Sequence, residues 1–311
     1  MDLGARGRKR AGSAAAVALL GVLFSAGCTE WTPQLLAEQT QPIVGGTLDT
    51  SSKGVVALAL PDRDSLVTFC SGTLLAPNLV LTARHCVGLI DAVDESNVDC
   101  GVTEFGQHYD PASLRVSVEA NVGQDALSPY RVSKIWVAPG GDSVCGQDLA
   151  LLVLEGGGIP SSDARPIEPN LSEEVRANDV FSAVGYGLQD YQDLTSATSG
   201  HRMRVDDAQV FCTGDACQTD LIANNEWIAD SPVCSGDSGG PALDASNRVA
   251  GVTSRGDPKC TVAIYTSVYA FRTFIGDSVF RAASLGGYPP PAWAGEPPPG
   301  FGPDKPPGCL L

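Results

Sequence analysis

The chain has 311 residues, with 36 acidic against 20 basic side chains and a formal net charge of −16. This excess of negative charge opposes binding to a phosphate backbone, so nucleic-acid binding is not expected. The length allows one large or two small domains, and the 35 glycines and 22 prolines favour a turn-rich β protein over a helical one.

The N-terminal segment, residues 1–27, has the pattern of an export signal. A basic stretch at 6–10 precedes an apolar stretch at 14–24 that is too short to span a bilayer. The following cysteine, Cys28, ends the tetrapeptide SAGC, which resembles a bacterial lipoprotein signal except for its first residue. The sequence predicts export, either as a cell-envelope lipoprotein held to the membrane only by a lipid on Cys28 or as a secreted protein.

Ten cysteines and three histidines limit the chemistry. In an exported chain, this many cysteines indicates an oxidising compartment and disulfide bonds. The sequence has no CxxC pair, and His85, His108 and His201 are not spaced as metal ligands, so no metal site is predicted. No organic cofactor is expected.

The residue pattern of the sequence changes at Ile43. Residues 28–42 are polar and patternless, which predicts a spacer or pro-segment, whereas Val-rich apolar runs bounded by turn residues follow. The runs are 55–60, 79–81, 114–118, 131–137, 149–154, 180–184, 248–253 and 263–268. No amphipathic helix separates them, so the pattern predicts a sandwich or barrel, with the glycine-rich stretch 156–160 as the candidate connection between two halves.

The C-terminal part of the chain contains two segments with different residue patterns. Apolar side chains recur at helical spacing over 269–283, which predicts a helix. Residues 284–311 are rich in Pro and Gly, which predicts a flexible tail that packs no core.

Three segments carry the residue types that hydrolysis of an amide bond needs. A serine hydroxyl is a weak nucleophile unless an oriented base takes its proton, and separate donors have to hold the oxyanion that forms. His85 follows one apolar run, Asp148 begins another, and Ser238 lies in a glycine-rich turn.

These segments occur in the order and surroundings of a known family. The matching stretches are IVGG at 43–46, TARHC at 82–86, DLALL at 148–152, GYG at 185–187, CSGDSGGP at 234–241 and YT at 265–266. From residue 43 to residue 283 the chain resembles the chymotrypsin/trypsin family of serine endopeptidases. The resemblance implies an all-β protease domain of two six-stranded antiparallel barrels, with the active site between them and a short C-terminal helix.

The resemblance also implies roles for the site residues. His85 is the general base and then the acid, Asp148 orients it, and Ser238 is the nucleophile of an acyl-enzyme mechanism on protein or peptide substrates. The backbone N–H groups of Gly236 and Ser238 form the oxyanion hole. Arg84 stands where the family mostly has alanine, and an inward-pointing charge there would lower the pKa of His85.

Activation by cleavage is a further implication of the resemblance. In the family, a cut before the IVGG-like segment frees an α-amine that pairs with the aspartate preceding the nucleophile, here Ile43 with Asp237. The residue before the cut is Pro42, so a trypsin-like enzyme is not expected to make it, and a separate activating protease is the expected partner.

Eight of the ten cysteines are assigned to four disulfide bonds. Two pairs resemble family bridges at the histidine loop and the substrate pocket, and two others would tie a long insert to the Asp148 strand and close a small loop. The pairs, in that order, are Cys70–Cys86, Cys234–Cys260, Cys100–Cys145 and Cys212–Cys217. Sequence alone does not fix this connectivity. Lipidation would account for Cys28, and Cys309 remains without a role.

The substrate pocket lacks the carboxylate of trypsin-like members. The corresponding position, six residues before the nucleophile, is Pro232, followed by Val233. By resemblance the rest of the pocket is formed by Ser254, Arg255, Gly256 and Ala263. Burying an unpaired cation in such a pocket is costly, so we expect a preference for small or medium neutral side chains at the cleaved bond. An inward-turned Asp230 would reverse that expectation.

Two alternatives to an endopeptidase stay open at this stage. A protein of this fold that had lost catalysis would be a silent binding protein at the cell surface. An esterase-like hydrolase would use the same three residues. Labelling of Ser238 by a fluorophosphonate tests the first alternative, and comparison of amide with ester substrates tests the second.

Overall fold

The computed structural model of the chain describes residues 43, 46–63, 65–91, 98–122, 129–193, 195–297 and 301–302. All of them belong to one structural unit, Gln39–Leu311. The predicted export signal and spacer, together with Cys28 and Cys309, lie outside the described residues. Within the described ranges, no helix is long and apolar enough to cross a bilayer.

Strands are the predominant regular secondary structure of the described residues. In chain order they are β1 Thr47–Leu48, β2 Val55–Asp62, β3 Ser65–Ala76, β4 Leu79–Thr82, β5 Gly88–Asp91, β6 Glu104–His108, β7 Arg115–Ser117, β8 Tyr130–Val137, β9 Ala150–Leu154, β10 Val180–Gly185, β11 Met203–Thr213, β12 Glu226–Asp230, β13 Pro241–Leu243, β14 Val249–Gly256 and β15 Val262–Ser267. Short helical turns cover Arg84–Cys86, Pro111–Ser113, Val144–Gln147, Gly214–Cys217, Tyr269–Phe271 and Ala292–Ala294, and helix α1 spans Arg272–Gly286.

The first barrel is closed by six antiparallel strands in the order β2-β3-β4-β9-β8-β7. Strands β4 and β9, with the sequences LVLT and ALLVL, are buried at every residue. Continuous apolar runs of this length are expected where a strand is covered on both faces. The β5–β6 hairpin forms a separate two-stranded sheet.

The second barrel contains six strands in the order β11-β10-β13-β14-β15-β12, and pairing of β11 with β12 closes it. Strand β1 pairs with Met203 and Arg204 of β11, on the edge opposite β10. In its core, the rings of Trp227 and Tyr265 stack at 4.3 Å, and Phe181 meets both edge-on. The two six-stranded barrels predicted from the sequence are thus confirmed, and the glycine-rich stretch 156–160 lies between β9 and β10.

The predicted C-terminal helix is confirmed as α1. It ends before Gly287, whose φ of 69° gives the left-handed conformation common after a helix. The tail predicted to pack no core departs from that expectation: Tyr288 and Trp293 pack against the core, and the Phe301 ring lies 5.6 Å from the Phe280 ring. The prediction was based on the Pro and Gly content of the tail. The three aromatic side chains nevertheless pack because each buries a large apolar area.

Candidate active site

His85 and Asp148 are brought together by the pairing of two strands of the first barrel. Strands β4 and β9 are antiparallel with Thr82 opposite Ala150, so the turn after β4 and the residues before β9 lie at the same end. His85 Nδ1 lies 2.8 Å from Asp148 Oδ2, and the His85 backbone N–H donates to Asp148 Oδ1 at 2.9 Å. Asp148 therefore holds both the backbone and the ring of His85.

Asp148 is fully buried and accepts a third hydrogen bond, from Ser254 Oγ at 2.6 Å. Burial acts to raise its pKa, but the charge of His85 and the hydrogen bonds from His85 and Ser254 outweigh it and hold the pKa of Asp148 below its usual value. The carboxylate is therefore ionised at neutral pH. It can stabilise a positive charge on the His85 ring, which is 20% exposed.

Ser238 lies in a turn between Cys234 and β13 that depends on glycine. Gly236 and Gly239 have φ of +97° and +82°, a region that L-residues rarely adopt. A Cβ at Gly239 would also lie 2.1 Å from Thr82 Oγ1. The turn is thereby pressed against the end of β4, next to the His85 turn.

Ser71, on β3, ties this turn to the first barrel. Its N–H donates to Ser238 O at 2.8 Å, and its hydroxyl donates to Gly236 O at 2.9 Å while accepting from the Tyr186 N–H. Cys86 Sγ lies 3.5 Å from Ser238 O and 3.8 Å from His85 Nε2. The Ser238 backbone and the His85 ring are therefore near neighbours.

The turn also presents two backbone donors beside Asp237. Among the described residues, no acceptor is bonded to the N–H of Gly236 or to that of Ser238. Between them, the side chain of Asp237 is buried and accepts from the N–H groups of Gly187 and Cys234, each at 2.8 Å. Burial outweighs these bonds and raises the pKa of Asp237 to about 7.

The comparison with protein families agrees with this geometry. The family model described as Trypsin matches residues 43–275. The chain belongs to the trypsin family. It is therefore a serine endopeptidase, which confirms the family predicted from the sequence.

Proteins similar to this chain include two trypsins and a kallikrein-related peptidase. Trypsin of Phaedon cochleariae is 27% identical over 281 residues, covering 84% of this chain and 96% of that protein. Trypsin of Saccharopolyspora erythraea is 30% identical over 210 residues, covering 65% of this chain and 80% of that protein. Kallikrein 1-related peptidase b26 of Mus musculus is 28% identical over 230 residues, covering 69% and 81%.

The residues assigned to the trypsin-family substrate pocket lie on paired strands and the segment after β12. Gly256 is opposite Ala263 in the β14–β15 pair, and Val233 and Ala263 are buried, with Pro232 half-buried. The side chains of Ser254 and Arg255 are directed at Asp148 and Glu226, respectively.

Asp230 supplies no carboxylate to this pocket. It is exposed at the end of β12, where successive side chains point to opposite faces and Ala229 is buried. Asp230 Oδ1 accepts the N–H of Gln209 on the neighbouring strand at 2.9 Å. It therefore lies on the outer face of the second barrel.

Arg84 is buried beside the His85 turn, but its charge is directed at other groups. Nη1 donates to Gly141 O at 2.9 Å, Nη2 pairs with Asp142 Oδ1 at 2.6 Å, and the guanidinium lies 4.5 Å from the centre of the Phe105 ring. Asp142 compensates this charge, so the condition for the predicted effect on His85, a charge turned toward it, is not met.

In the described part of the chain, four disulfide bonds join the pairs named from the sequence. The pairs are Cys70–Cys86, Cys100–Cys145, Cys212–Cys217 and Cys234–Cys260. Within the described ranges, one group of potential metal ligands is close enough to share an ion, namely Cys70, His85 and Cys86. Two of its three members are joined in a disulfide, which does not suit metal binding.

Sequence reasoning missed the roles of Ser71 and Glu226 and assigned Ser254 only to the pocket wall. All three act through contacts to residues distant in the chain, such as Ser71 to Gly236. No local pattern in the sequence marks such contacts. Only the closure of both barrels brings them together.

Proposed function

We propose that Ser238, His85 and Asp148 hydrolyse peptide bonds through an acyl-enzyme. Ser238 Oγ attacks the carbonyl carbon while His85 Nε2 takes its proton, and His85 then protonates the amine as the C–N bond breaks. Water repeats these steps on the acyl-enzyme and releases the acid. The observation that supports this proposal best is the buried Asp148 carboxylate, which bonds to both the ring and the backbone of His85.

The N–H groups of Gly236 and Ser238 support the second part of the proposal, an oxyanion hole, because no acceptor among the described residues is bonded to them. The tetrahedral intermediate places a negative charge on the former carbonyl oxygen, and donors fixed beforehand stabilise it without reorganisation. Ser71 would keep them fixed because it bonds to the carbonyls on both sides of Asp237.

The direct test is labelling of the processed protein, starting at Ile43, with a fluorophosphonate probe. A label on Ser238 that denatured protein does not acquire supports an activated nucleophile. Without labelling, the protein would be a silent binding protein of the same fold. Cleavage of esters but not of amides by a labelled protein would instead favour an esterase.

Replacement of Ser71 by alanine is expected to lower kcat on an amide substrate by about fivefold with KM nearly unchanged, since a neutral hydrogen bond contributes about 1 kcal/mol. Steady-state kinetics of the processed enzyme measures this. Ser133 is a matched control because its hydroxyl also donates to a backbone carbonyl, that of Val153, within the first barrel. Equal losses in Ser71→Ala and Ser133→Ala would contradict the assignment.

The preference at the cleaved bond is proposed to be for small or medium neutral side chains. Val233 and Ala263 are apolar, Pro232 carries no charge, and Asp230 lies on the outer face. Profiling with a peptide library is expected to show cleavage after neutral residues. Pro232→Asp, which adds a carboxylate, is expected to increase cleavage after Arg and Lys. A dominant preference of the wild-type enzyme for cleavage after Arg or Lys would contradict this proposal.

The protein is proposed to be made as a precursor that is cut before Ile43. Ile43 is fully buried, and its φ of 37° is a left-handed conformation that β-branched residues rarely adopt. Such strain costs on the order of 1–3 kcal/mol, and the cut removes the peptide bond that defines this angle. The freed amine would then pair with Asp237.

Export is proposed to occur through residues 1–27, with a lipid on Cys28, a spacer at 28–42 and the protease domain at 43–283. The four disulfide bonds are consistent with an oxidising compartment. Mass spectrometry of the mature N-terminus tests both processing and lipidation. An unmodified N-terminus before Cys28 would rule out the lipid anchor.

A further inference from the structure

The side chain of Arg255, on β14, connects a buried carboxylate to the candidate active site. Nη1 lies 2.7 Å from Glu226 Oε1 and donates to Ser254 Oγ at 3.1 Å, and Nη2 donates to Glu226 Oε2 at 2.8 Å. Ser254 Oγ in turn donates to Asp148 Oδ2 at 2.6 Å. An unbroken series of hydrogen bonds therefore runs from Glu226 to Asp148.

Glu226 holds this guanidinium in one orientation. Its side chain is fully buried, and such a carboxylate has to be paired and hydrogen-bonded. A planar guanidinium meets the two oxygens of a carboxylate in a fixed geometry, which a lysine ammonium does not reproduce. Because Glu226 Oε2 also accepts the N–H of Ala223 at 2.8 Å, the carboxylate is itself fixed. The ion pair therefore places Nη1 against Ser254 Oγ.

The position of Nη1 determines where the Ser254 hydroxyl points. A guanidinium has donors only, so Ser254 Oγ has to accept from it and its one hydrogen is left for Asp148 Oδ2. We propose that Arg255 is a positioning residue, which acts through Ser254 to hold Asp148 in the orientation that aligns His85. This inference rests on the function proposed above and assigns Arg255 a role other than pocket wall.

Contacts to the segment before Asp148 support the same role. Asn225, next to Glu226, donates from Nδ2 to Gly146 O at 2.6 Å, and Arg255 Nη2 contacts Cys145 Sγ at 3.3 Å. Cys145 and Gly146 lead directly into Asp148. The start of β12 and Arg255 therefore hold the backbone that approaches Asp148 as well as the donor to its carboxylate.

A double-mutant cycle tests this role in the processed enzyme. One side of the cycle is Glu226→Gln with Arg255→Met, which removes both charges together and leaves no buried carboxylate without its cation. The other side is Ser254→Ala. Each is expected to lower kcat on an amide substrate by about tenfold with KM within about twofold, the effect of one hydrogen bond to a charged group.

The combined variant distinguishes positioning from general stabilisation. If Arg255 acts through Ser254, the triple variant is expected to be no slower than Ser254→Ala alone, because coupled residues are not additive. Additive losses, an unchanged kcat, or a loss confined to KM would each overturn the inference. Should the charge-free pair not fold, Arg255→Lys takes its place in the same cycle, since it keeps a cation beside Glu226.

Arg248→Met is the matched control. Arg248 precedes β14, at the end opposite Arg255, and pairs with Asp244 and Glu173. The variant therefore loses an arginine–carboxylate interaction that is not part of the series leading to Asp148. It is expected to keep its kcat.

An activity-independent measurement separates failure of this inference from failure of the proposed function. In isotope-labelled protein, the proton between His85 Nδ1 and Asp148 gives its own NMR resonance, which should move in Glu226→Gln/Arg255→Met and stay in place in Arg248→Met. If the wild type is inactive but the resonance moves in Glu226→Gln/Arg255→Met, the proposed function is wrong and the inference stands. If the wild type is active but the resonance does not move in that variant, the inference is wrong and the proposed function stands.

Discussion

Alanine in place of Ser238 is expected to lower kcat for amide hydrolysis by about 10⁶-fold in the processed enzyme, the order of loss found when a nucleophile of this kind is removed. The physical reason is that no other side chain can form the acyl-enzyme, so only transition-state binding by the remaining groups persists. Steady-state kinetics of the processed enzyme measures the effect, and loss of fluorophosphonate labelling confirms that the nucleophile is gone. Ser235→Ala is the matched control, because its exposed side chain lies in the same turn.

The same experiment tests whether the three residues act as a unit. Adding His85→Ala to Ser238→Ala is expected to cause little further loss, because a base has no function without the nucleophile whose proton it takes. Asp148→Asn is expected to be slow for a different reason: the amide cannot stabilise the charged imidazole. Full activity of Ser238→Ala would contradict the assignment, and a further large loss on adding His85→Ala would contradict joint action.

The strands that are easiest to predict from the sequence are those with unbroken apolar runs. Strands β4 and β9 are buried at every residue, so their runs were visible without knowledge of pairing. Strand β11 was missed because two aspartates interrupt it and Asp207, with φ of 61°, sits in a bulge where the register with β10 shifts. A bulge breaks the alternation on which strand prediction depends.

The candidate site divides in a similar way between local and distant contacts. His85, Asp148 and Ser238 lie in short stretches whose residue types match a family, so their positions could be named from the sequence. The hydrogen bonds from Ser71 to Gly236 and from Arg255 to Ser254 could not, because the first joins residues 165 positions apart and the second depends on the fixed orientation of Glu226. Side-chain direction on paired strands decides both, and only the register of the folded barrels sets it.

Asp237 is expected to make the stability of the uncut precursor fall as the pH rises. Its carboxylate is buried, and in the described part of the chain its hydrogen-bond donors are the N–H groups of Gly187 and Cys234. Burial raises its pKa from 3.8 to about 7. Since the folded pKa lies above the unfolded one, this group contributes stability that is present below about pH 4 and is lost as the pH rises through about 7.

The expected loss of stability is about 4 kcal/mol. The pKa of Asp237 rises from 3.8 to about 7, and each tenfold change in an equilibrium constant corresponds to about 1.4 kcal/mol. Urea denaturation of the precursor at a series of pH values measures the free energy of unfolding. Asp237→Asn is expected to remove the fall between about pH 4 and pH 7, whereas Asp230→Asn, which changes an exposed carboxylate, is expected to keep it.

Cleavage before Ile43 is expected to reverse the sign of this dependence in the same protein. The freed α-amine would give the Asp237 carboxylate a cation, and an opposite charge lowers the pKa of a buried acid below its unfolded value. Stability from Asp237 would then be present at neutral pH and lost only in acid. The same pairing would hold the N–H groups of Gly236 and Ser238 in place, so stability at neutral pH and activity should rise together on processing. A processed enzyme that keeps the precursor's pH dependence, or that is active with Asp237→Asn, would show that the amine does not pair with this carboxylate.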